Sequence, residues 1–230
     1  MKPWRYQQWC IQSKASSAFV CAMEDILSVY KREFNPEEPL ICMDETSKQL
    51  TVETRMPIPT VPGRPKRYDY EYERNGVCNL FMFFEPLAGK RQVSVTGRRT
   101  KVDWAKQIKQ LLDVHYPKAK KVTLVMDNLN THSGASLYEV FEPSEARRLL
   151  DRLQIHYTPK HGSWLNMAEI ELGVLSRQCL DRRIPNRETL KTEITAWQST
   201  RNNHAAKVDW RFTNDDARIK LKRLYPTLSC

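Results

Sequence analysis

Apolar residues recur along this chain with two different spacings, which predicts an alternation of helices and strands. Apolar positions three or four residues apart predict helices over residues 19–34, 100–113, 143–153, 166–180 and 188–200. Short apolar runs predict strands over residues 40–43, 76–84, 91–95, 121–126 and 154–157. A short turn separates the second and third of these strands, so we expect them to form a hairpin. The pattern therefore predicts an α/β protein.

The order of the elements predicts a mixed sheet with helices on both faces. An antiparallel hairpin follows the first strand, and the later strands alternate with helices, which favours parallel pairing. This order is that of the ribonuclease-H-like fold, an antiparallel hairpin plus parallel strands flanked by helices. Because one fold can host many functions, the topology alone gives no activity.

A polar stretch separates the first two predicted strands. Residues 45–75 contain four prolines, and Arg64, Lys66 and Arg67 make the segment locally basic. We expect it to be an extended excursion that lies on the protein surface or on a ligand. The predicted domains are a connector and helix over 1–35, a ribonuclease-H-like domain over 36–205 and a C-terminal tail over 206–230.

Composition narrows the class of partner. The 230 residues are 40% hydrophobic and 28% charged, as in soluble globular proteins. Lys and Arg number 37 against 27 Asp and Glu, and a net charge of +10 favours a polyanion such as nucleic acid. Most of the basic pairs, such as Lys90-Arg91, are expected at solvated surfaces. The six cysteines have neither CxxC nor zinc-finger spacing, and no apolar run is long enough for a membrane span, so we expect a cytoplasmic protein.

Two of the apolar runs end in an aspartate. Asp44 follows residues 40–43, and Asp127 follows residues 121–126. We expect both carboxylates to point off the same end of the sheet, where Glu169, at the start of a predicted helix, can complete the cluster. Carboxylate oxygens suit Mg²⁺ or Mn²⁺, and two such ions can clamp the attacking and leaving oxygens of a phosphodiester.

Each of these acidic residues has a structural alternative or a rival. Aspartate is common in turns, and Asn166 followed by Glu169 has the spacing of a helix capping box. Glu171 is the rival of Glu169, because residues two positions apart on a helix cannot both face one cluster. Glu45 competes with Asp44 similarly, since neighbouring strand residues point to opposite faces. The residues alone leave these choices open.

Several other side chains are candidates for contacts to nucleic acid. His132 could touch a phosphate or orient a water, although a lone loop histidine is more often an ordinary hydrogen-bonding residue. Lys160 and His161 precede a predicted helix, whose N-terminus favours phosphate. Trp164 could stack on a base or pack into the core. The predicted nucleic-acid contacts are His132, Lys160, His161, Trp164, Arg64, Lys66 and Arg67.

Three segments of the sequence resemble the DDE transposases of bacterial insertion sequences, in the branch related to the mariner superfamily. They are residues 42–46 (CMDET), residues 125–128 (VMDN) with His132, and residues 157–169 (YTPKHGSWLNMAE). The segments 9–30 and 212–225 also look like this group. The resemblance covers about residues 40–180 in its most specific part.

The resemblance implies a ribonuclease-H-like catalytic core that cleaves DNA and transfers the cut strand with the help of Mg²⁺ or Mn²⁺, as two ions. By position, Asp44, Asp127 and Glu169 would be the catalytic and metal-binding triad. The implied partners are transposon-end and target DNA, with a homodimer in the active complex and no membrane. The implied location is the bacterial cytoplasm, in association with the nucleoid.

The sequence departs from the family pattern in two respects. Family members usually carry helix-turn-helix units ahead of the core, whereas about 40 residues precede Asp44, so we expect that domain to be absent. The 41 residues between Asp127 and Glu169 are more than the animal relatives usually show. Two other functions stay open: a purely hydrolytic ribonuclease-H-like nuclease, and an inactive DNA-binding transposase remnant.

Overall fold

A five-stranded mixed sheet forms the centre of the protein in a computed structural model that describes residues 14–227. The strands lie in the order β3-β2-β1-β4-β5. The pairs β1–β2 and β2–β3 are antiparallel, and the pairs β1–β4 and β4–β5 are parallel. The predicted mixed sheet is therefore confirmed. The strands are β1 (Leu40–Glu53), β2 (Tyr72–Glu85), β3 (Lys90–Thr96), β4 (Val122–Met126) and β5 (Leu153–Tyr157).

Seven α-helices are present among the described residues. Two of them, α2 and α5, continue into a π-helical turn, at Leu111–His115 and Ser176–Leu180. Trp4, Tyr6 and Trp9, in the predicted connector, lie outside the described residues. The helices are α1 (Ser17–Tyr30), α2 (Lys101–Gln110), α3 (Ala135–Tyr138), α4 (Pro143–Asp151), α5 (Met167–Leu175), α6 (Arg187–Asn203) and α7 (Asn214–Lys220).

The sheet separates two hydrophobic cores, because successive strand residues face opposite sides. Cys42 packs with helices α1, α5, α6 and α7 on one face, whereas Ile41 and Met43 pack with α2, α3 and α4 on the other. The predicted placement of helices on both faces is confirmed. We refer to these as the α5-side core and the α2-side core.

Strands β1 and β2 extend well beyond their predicted ends. The prediction gave β1 residues 40–43, but the strand continues to Glu53, paired with β2 back to Tyr72. Backbone hydrogen bonds between the two strands hold this ribbon together where the side chains are polar, so apolar runs could not reveal its length. Residues 54–71, the arm, leave the end of the ribbon and carry exposed side chains such as Met56 and Tyr70.

An ion cluster ties β3, α5 and α6 together. Arg91, expected at a solvated surface, is fully buried, which corrects that expectation. Its Nε lies 2.9 Å from Glu171 Oε1, although the N–H does not point at that oxygen. Arg201 donates to both oxygens of the same carboxylate, at 2.5 and 3.0 Å. This Arg–Glu–Arg cluster (Arg91, Glu171 and Arg201) neutralises a buried carboxylate on α5.

None of the helices found between residues 14 and 227 is long and apolar enough to cross a membrane.

Candidate active site

Parallel pairing of β1 with β4 brings two aspartates side by side. Cys42 pairs with Val125, so Asp44 and Asp127 each lie two residues beyond a paired residue at the same edge of the sheet. Cys42 faces the α5-side core, so the period of two places Asp44 on the side of α5, and Asp127 directly follows β4. One detail of the prediction is wrong: β4 ends just before Asp127, but Asp44 lies within β1, which continues to Glu53.

Asn166 ties the start of α5 to the strand that carries Asp44. Its side-chain oxygen accepts a hydrogen bond from the Ala168 N–H at 3.0 Å and so caps the helix. Its amide nitrogen donates to the Met43 carbonyl at 2.9 Å and lies 3.4 Å from Asp44 Oδ2. The sequence indicated Asn166 as a cap, but its second role depends on how α5 docks on the sheet.

Glu169 lies in the first turn of α5 with an exposed side chain. Partial burial raises the pKa of this carboxyl, a hydrogen bond from Ser163 acts in the opposite direction, and the charge of Asp127 raises it further. The capping alternative is not the arrangement observed, because Asn166 caps through the Ala168 N–H. Because the charge of Asp127 acts on Glu169 and the charge of Glu169 acts on Asp44, Glu169 lies on the side of the aspartates.

Glu171, the rival ligand, points elsewhere. Its side chain is buried in the Arg–Glu–Arg cluster, on the opposite side of α5 from the aspartates. The structure thus brings Asp44, Asp127 and Glu169 together and excludes Glu171 from the group. We call Asp44, Asp127 and Glu169 the carboxylate cluster.

Asp44 is the member of the carboxylate cluster that is surrounded by charge of its own sign. The pKa of Asp44 is raised to about 7, chiefly by burial. A hydrogen bond from the Glu45 N–H at 2.7 Å lowers this pKa, but the charges of Glu169, Asp127 and Glu45 all raise it. Every charge that acts appreciably on Asp44 thus belongs to another carboxylate, which favours a bound cation.

Behind the cluster, Glu45 and Asp127 share a buried histidine. His132 Nδ1 lies 2.5 Å from Asp127 Oδ1, and His132 Nε2 lies 3.1 Å from Glu45 Oε2. Burial works to lower the pKa of His132, but the hydrogen bonds and charges of the two carboxylates outweigh it and raise the pKa to about 9. The imidazole stacks on Trp104, with 6.0 Å between ring centroids. We call this arrangement the Glu45–His132–Asp127 chain.

The geometry of His132 differs from the phosphate contact predicted for it. Both ring nitrogens bond to carboxylates and the side chain is fully buried. It therefore offers no nitrogen to a phosphate in this structure. The structure also decides between Asp44 and its rival Glu45. Glu45 points to the opposite face of β1 and hydrogen-bonds to His132.

The loop before α5 presents two of the predicted contact residues to solvent. Lys160 and His161 are exposed, and His161 has a positive φ of 64°. Gly162 packs against Pro159 so closely that a Cβ would lie 2.6 Å from the proline ring, so the turn needs glycine there. Lys160 and His161 are thereby presented a few residues ahead of Glu169.

The remaining predicted contacts lie in different surroundings. Trp164 packs into the α5-side core, the second of the two roles considered for it. Its side chain is half-buried, and its ring centroid lies 6.2 Å from that of Phe212. Arg64, Lys66 and Arg67 are all exposed on the arm. They lie beyond the far end of β1 from Asp44, so the arm does not contribute to the carboxylate cluster.

The residues present suit a hard divalent cation. Among residues 14–227, no three Asp, Glu, His or Cys side chains are already arranged as ligands around one point. The donors are nevertheless carboxylate oxygens, which Mg²⁺ and Mn²⁺ prefer. Burial and then the neighbouring carboxylates raise the pKa of Asp44, and such an ion would offset both effects by stabilising the charged form.

Comparison with known proteins gives one family and several related structures. Residues 39–191 match the DDE superfamily endonuclease family. No curated relative matches the sequence. The Mos1 mariner paired-end complex with Mn is 15% identical, with a TM-score of 0.60 over 95% of this chain and 65% of that chain. A pre-cleavage Mos1 transpososome is 13% identical, with a TM-score of 0.61 over 97% of this chain and 67% of that chain. The catalytic domain of Mos1 mariner transposase is 11% identical, with a TM-score of 0.54 over 86% of this chain and 96% of that chain.

At these identities the structural similarity establishes the fold, so the predicted ribonuclease-H-like architecture is confirmed. The chain spans less than two-thirds of the length of the Mos1 chains in the paired-end and strand-transfer complexes.

Proposed function

Because this chain belongs to the DDE superfamily endonuclease family, we propose that it is the catalytic domain of a transposase that cleaves DNA and joins the cut end to a target. The observation that carries the proposal is the meeting of Asp44, Asp127 and Glu169 from β1, the end of β4 and α5. Family membership supports an endonuclease, and the related structures are transposase complexes. An origin in a bacterial insertion sequence is part of the proposal.

The three acidic residues would hold a divalent metal, as two Mg²⁺ or Mn²⁺ ions. The similar Mos1 complexes were determined with Mn and with Mg. When bound, the ions would neutralise charge on the phosphodiester and activate water or a DNA 3′-hydroxyl. Asp44, Asp127 and Glu169 would supply the oxygens, and the bonds of Asn166 to Met43 and Ala168 would keep the start of α5, with Glu169, against β1.

The proposed partner is DNA, as transposon ends and target. Lys160 and His161 are exposed just ahead of Glu169, where they would contact the phosphates beside the cleaved bond. Arg64, Lys66 and Arg67 on the arm would contact phosphates further along the duplex. The net charge of +10 supports such binding. A homodimer in the active complex, a cytoplasmic and nucleoid-associated location, and the domains 1–35, 36–205 and 206–230 remain predictions.

A nicking and joining assay tests the proposal. Supercoiled plasmid and a DNA duplex with a free 3′-hydroxyl are incubated with the purified chain, with Mg²⁺, with Mn²⁺ or with chelator. Asp44→Asn, Asp127→Asn and Glu169→Gln should each reduce nicking by about a thousandfold or more. Glu188→Gln, at an acid 79% exposed on α6, is the matched control and should cut like the wild type.

The products separate the alternatives. Joined strands support a transposase, whereas nicks without joining indicate a purely hydrolytic nuclease. A folded wild-type chain that never nicks DNA with either metal would indicate a remnant. Triad variants that cut as well as Glu188→Gln would overturn the assignment of the site.

A further inference from the structure

We propose that His132 is a positioning residue for Asp127 and that Glu45 holds His132 in place for this task. The inference rests on the proposed function, because it treats Asp127 as a metal ligand. Its evidence is the Glu45–His132–Asp127 chain, in which the two ring nitrogens of one imidazole bond to a carboxylate on β1 and to a carboxylate just after β4.

Packing alone does not account for a histidine at this position. The His132 side chain is fully buried and that of Glu45 is 5% exposed. Burying such groups is costly unless each is hydrogen-bonded, whereas an apolar residue could fill the space against Trp104 at no such cost. Here His132 hydrogen-bonds to both Glu45 and Asp127, and the carboxylate of Asp127 also reaches the proposed metal site.

Asp127 needs an external restraint. It directly follows the last residue of β4, so the sheet does not continue beyond it, and its carboxylate is 38% exposed. An aspartate in such a place can rotate among several side-chain conformations. The bond from His132 occupies Oδ1 and so restrains the carboxylate, whose other oxygen, Oδ2, would be available to a metal. Pre-ordering a ligand in this way lowers the entropy lost on binding.

The backbone around His132 is built to keep the ring in position. The His132 N–H donates to the Leu129 carbonyl at 2.9 Å and closes the turn that follows Asp127. The hydroxyl of Tyr157, at the end of β5, donates to the His132 carbonyl at 2.9 Å. On the far side, Arg99 Nη1 lies 3.7 Å from Glu45 Oε1. The restraint on Asp127 thus extends from β5 to the loop before α2.

The test measures Mn²⁺ affinity, which does not depend on catalysis, by calorimetry on the full chain. His132→Ala should weaken Mn²⁺ binding about 10-fold to 100-fold, the usual cost of losing a residue that orients a ligand. His132→Asn should recover part of the loss, because its amide N–H stands where Nδ1 donates to Asp127. His132→Gln places its amide toward Glu45 instead and should recover less.

Addition of imidazole gives an independent check. If His132→Ala leaves a hole of the right shape, imidazole should restore much of its Mn²⁺ affinity and should leave that of the wild type unchanged. If His132→Ala does not fold, as judged by near-ultraviolet circular dichroism, the comparison of the Asn and Gln variants decides. Wild-type affinity in His132→Ala, or equal affinities in the Asn and Gln variants, would overturn the inference.

This inference and the proposed function can fail separately. A wild-type chain that binds Mn²⁺, loses that binding in His132→Ala and yet never cuts DNA would refute the transposase and support the positioning role. A chain that cuts DNA with Mg²⁺ and binds Mn²⁺ equally well with or without His132 would support the proposed function and refute the positioning role.

Discussion

Helix α5 carries two glutamates, two positions apart, in opposite electrostatic surroundings. Glu169 faces Asp44 and Asp127, and the charges around it are of its own sign. Glu171 is buried between Arg91 and Arg201, which neutralise it. The comparison separates two uses of one residue type: a carboxylate that is already paired contributes to the fold, and one that repels its neighbours is available to a ligand.

Glu169→Gln should have the largest effect on activity and almost none on stability. We expect metal-dependent nicking to fall by a thousandfold or more, equivalent to about 4 kcal/mol of transition-state stabilisation. The free energy of unfolding should change by no more than about 0.5 kcal/mol, because the side chain is exposed. Nicking rates and urea unfolding on the same preparation measure both. A large loss of stability would instead assign Glu169 a structural role.

Glu171→Gln should have the opposite profile. Removing one partner of a buried ion cluster leaves two arginine charges uncompensated, which costs about 3–5 kcal/mol. In a chain of this size that corresponds to a fall in Tm of about 6–20 °C. Thermal unfolding is the measurement, and Glu188→Gln is again the control. If Glu171→Gln keeps its stability but loses nicking, the two glutamates have been assigned the wrong way round.

The pH dependence of stability gives a third test, made without metal. Since the pKa of Asp44 is raised from 3.8 to about 7 in the folded protein, the folded state keeps a proton that the unfolded state has lost between these values. Stability therefore falls as pH rises from about 4 to about 7. Asp44→Asn should raise Tm by about 2–8 °C at pH 8, less at pH 5 and not at pH 3.5.

The control for that test is Asp209→Asn, at a site 75% exposed, whose Tm difference from the wild type should not vary with pH in this way. In addition, Mg²⁺ should raise the Tm of the wild type at pH 8 more than that of Asp44→Asn, since an ion that binds only the folded state stabilises it. A Tm difference for Asp44→Asn that does not vary with pH would mean that burial and the neighbouring carboxylates do not raise the pKa of Asp44.

The smallest effect is expected on the arm, where charges are neither paired in the core nor crowded at the site. Replacing Arg64, Lys66 and Arg67 with Gln should lower the slope of log affinity for DNA against log salt by up to about 3, one for each phosphate that is no longer neutralised. Stability should not change. DNA binding by fluorescence anisotropy from 50 to 200 mM salt measures the slope, and an unchanged slope would remove the arm from the DNA interface.

Much of this fold was predictable because it depends on local patterns. Periodic apolar positions predicted the helix over residues 100–113, and the structure begins α2 at a capping box formed by Thr100 and Asp103. The seven-residue helix α7 was missed, although Thr213 and Asp216 form a capping box there as well. A helix that short offers too few turns for its periodicity to be recognised.

The site was harder to predict from the sequence, because it depends on which side chains meet across the fold. The sequence placed Asp44 and Asp127 at the ends of apolar runs, and the period of two explained why Glu45 had to face the other way. Nothing local indicated that Arg91 would be buried against Glu171, or that His132 would turn inward to reach both Glu45 and Asp127. These contacts join residues on different elements, and only the packing of those elements brings them together.

The two hydrogen bonds of Asn166, to Ala168 and Met43, make this position unusually sensitive to the smallest of chemical changes. Aspartate has the same shape and is as good a helix cap as asparagine in general. Here the amide nitrogen donates to the Met43 carbonyl and lies 3.4 Å from Asp44 Oδ2, so an oxygen in its place would face two acceptors. Deamidation of this one side chain, an exchange of NH₂ for O⁻, would therefore replace the bond to Met43 with repulsion and place a further anion beside Asp44.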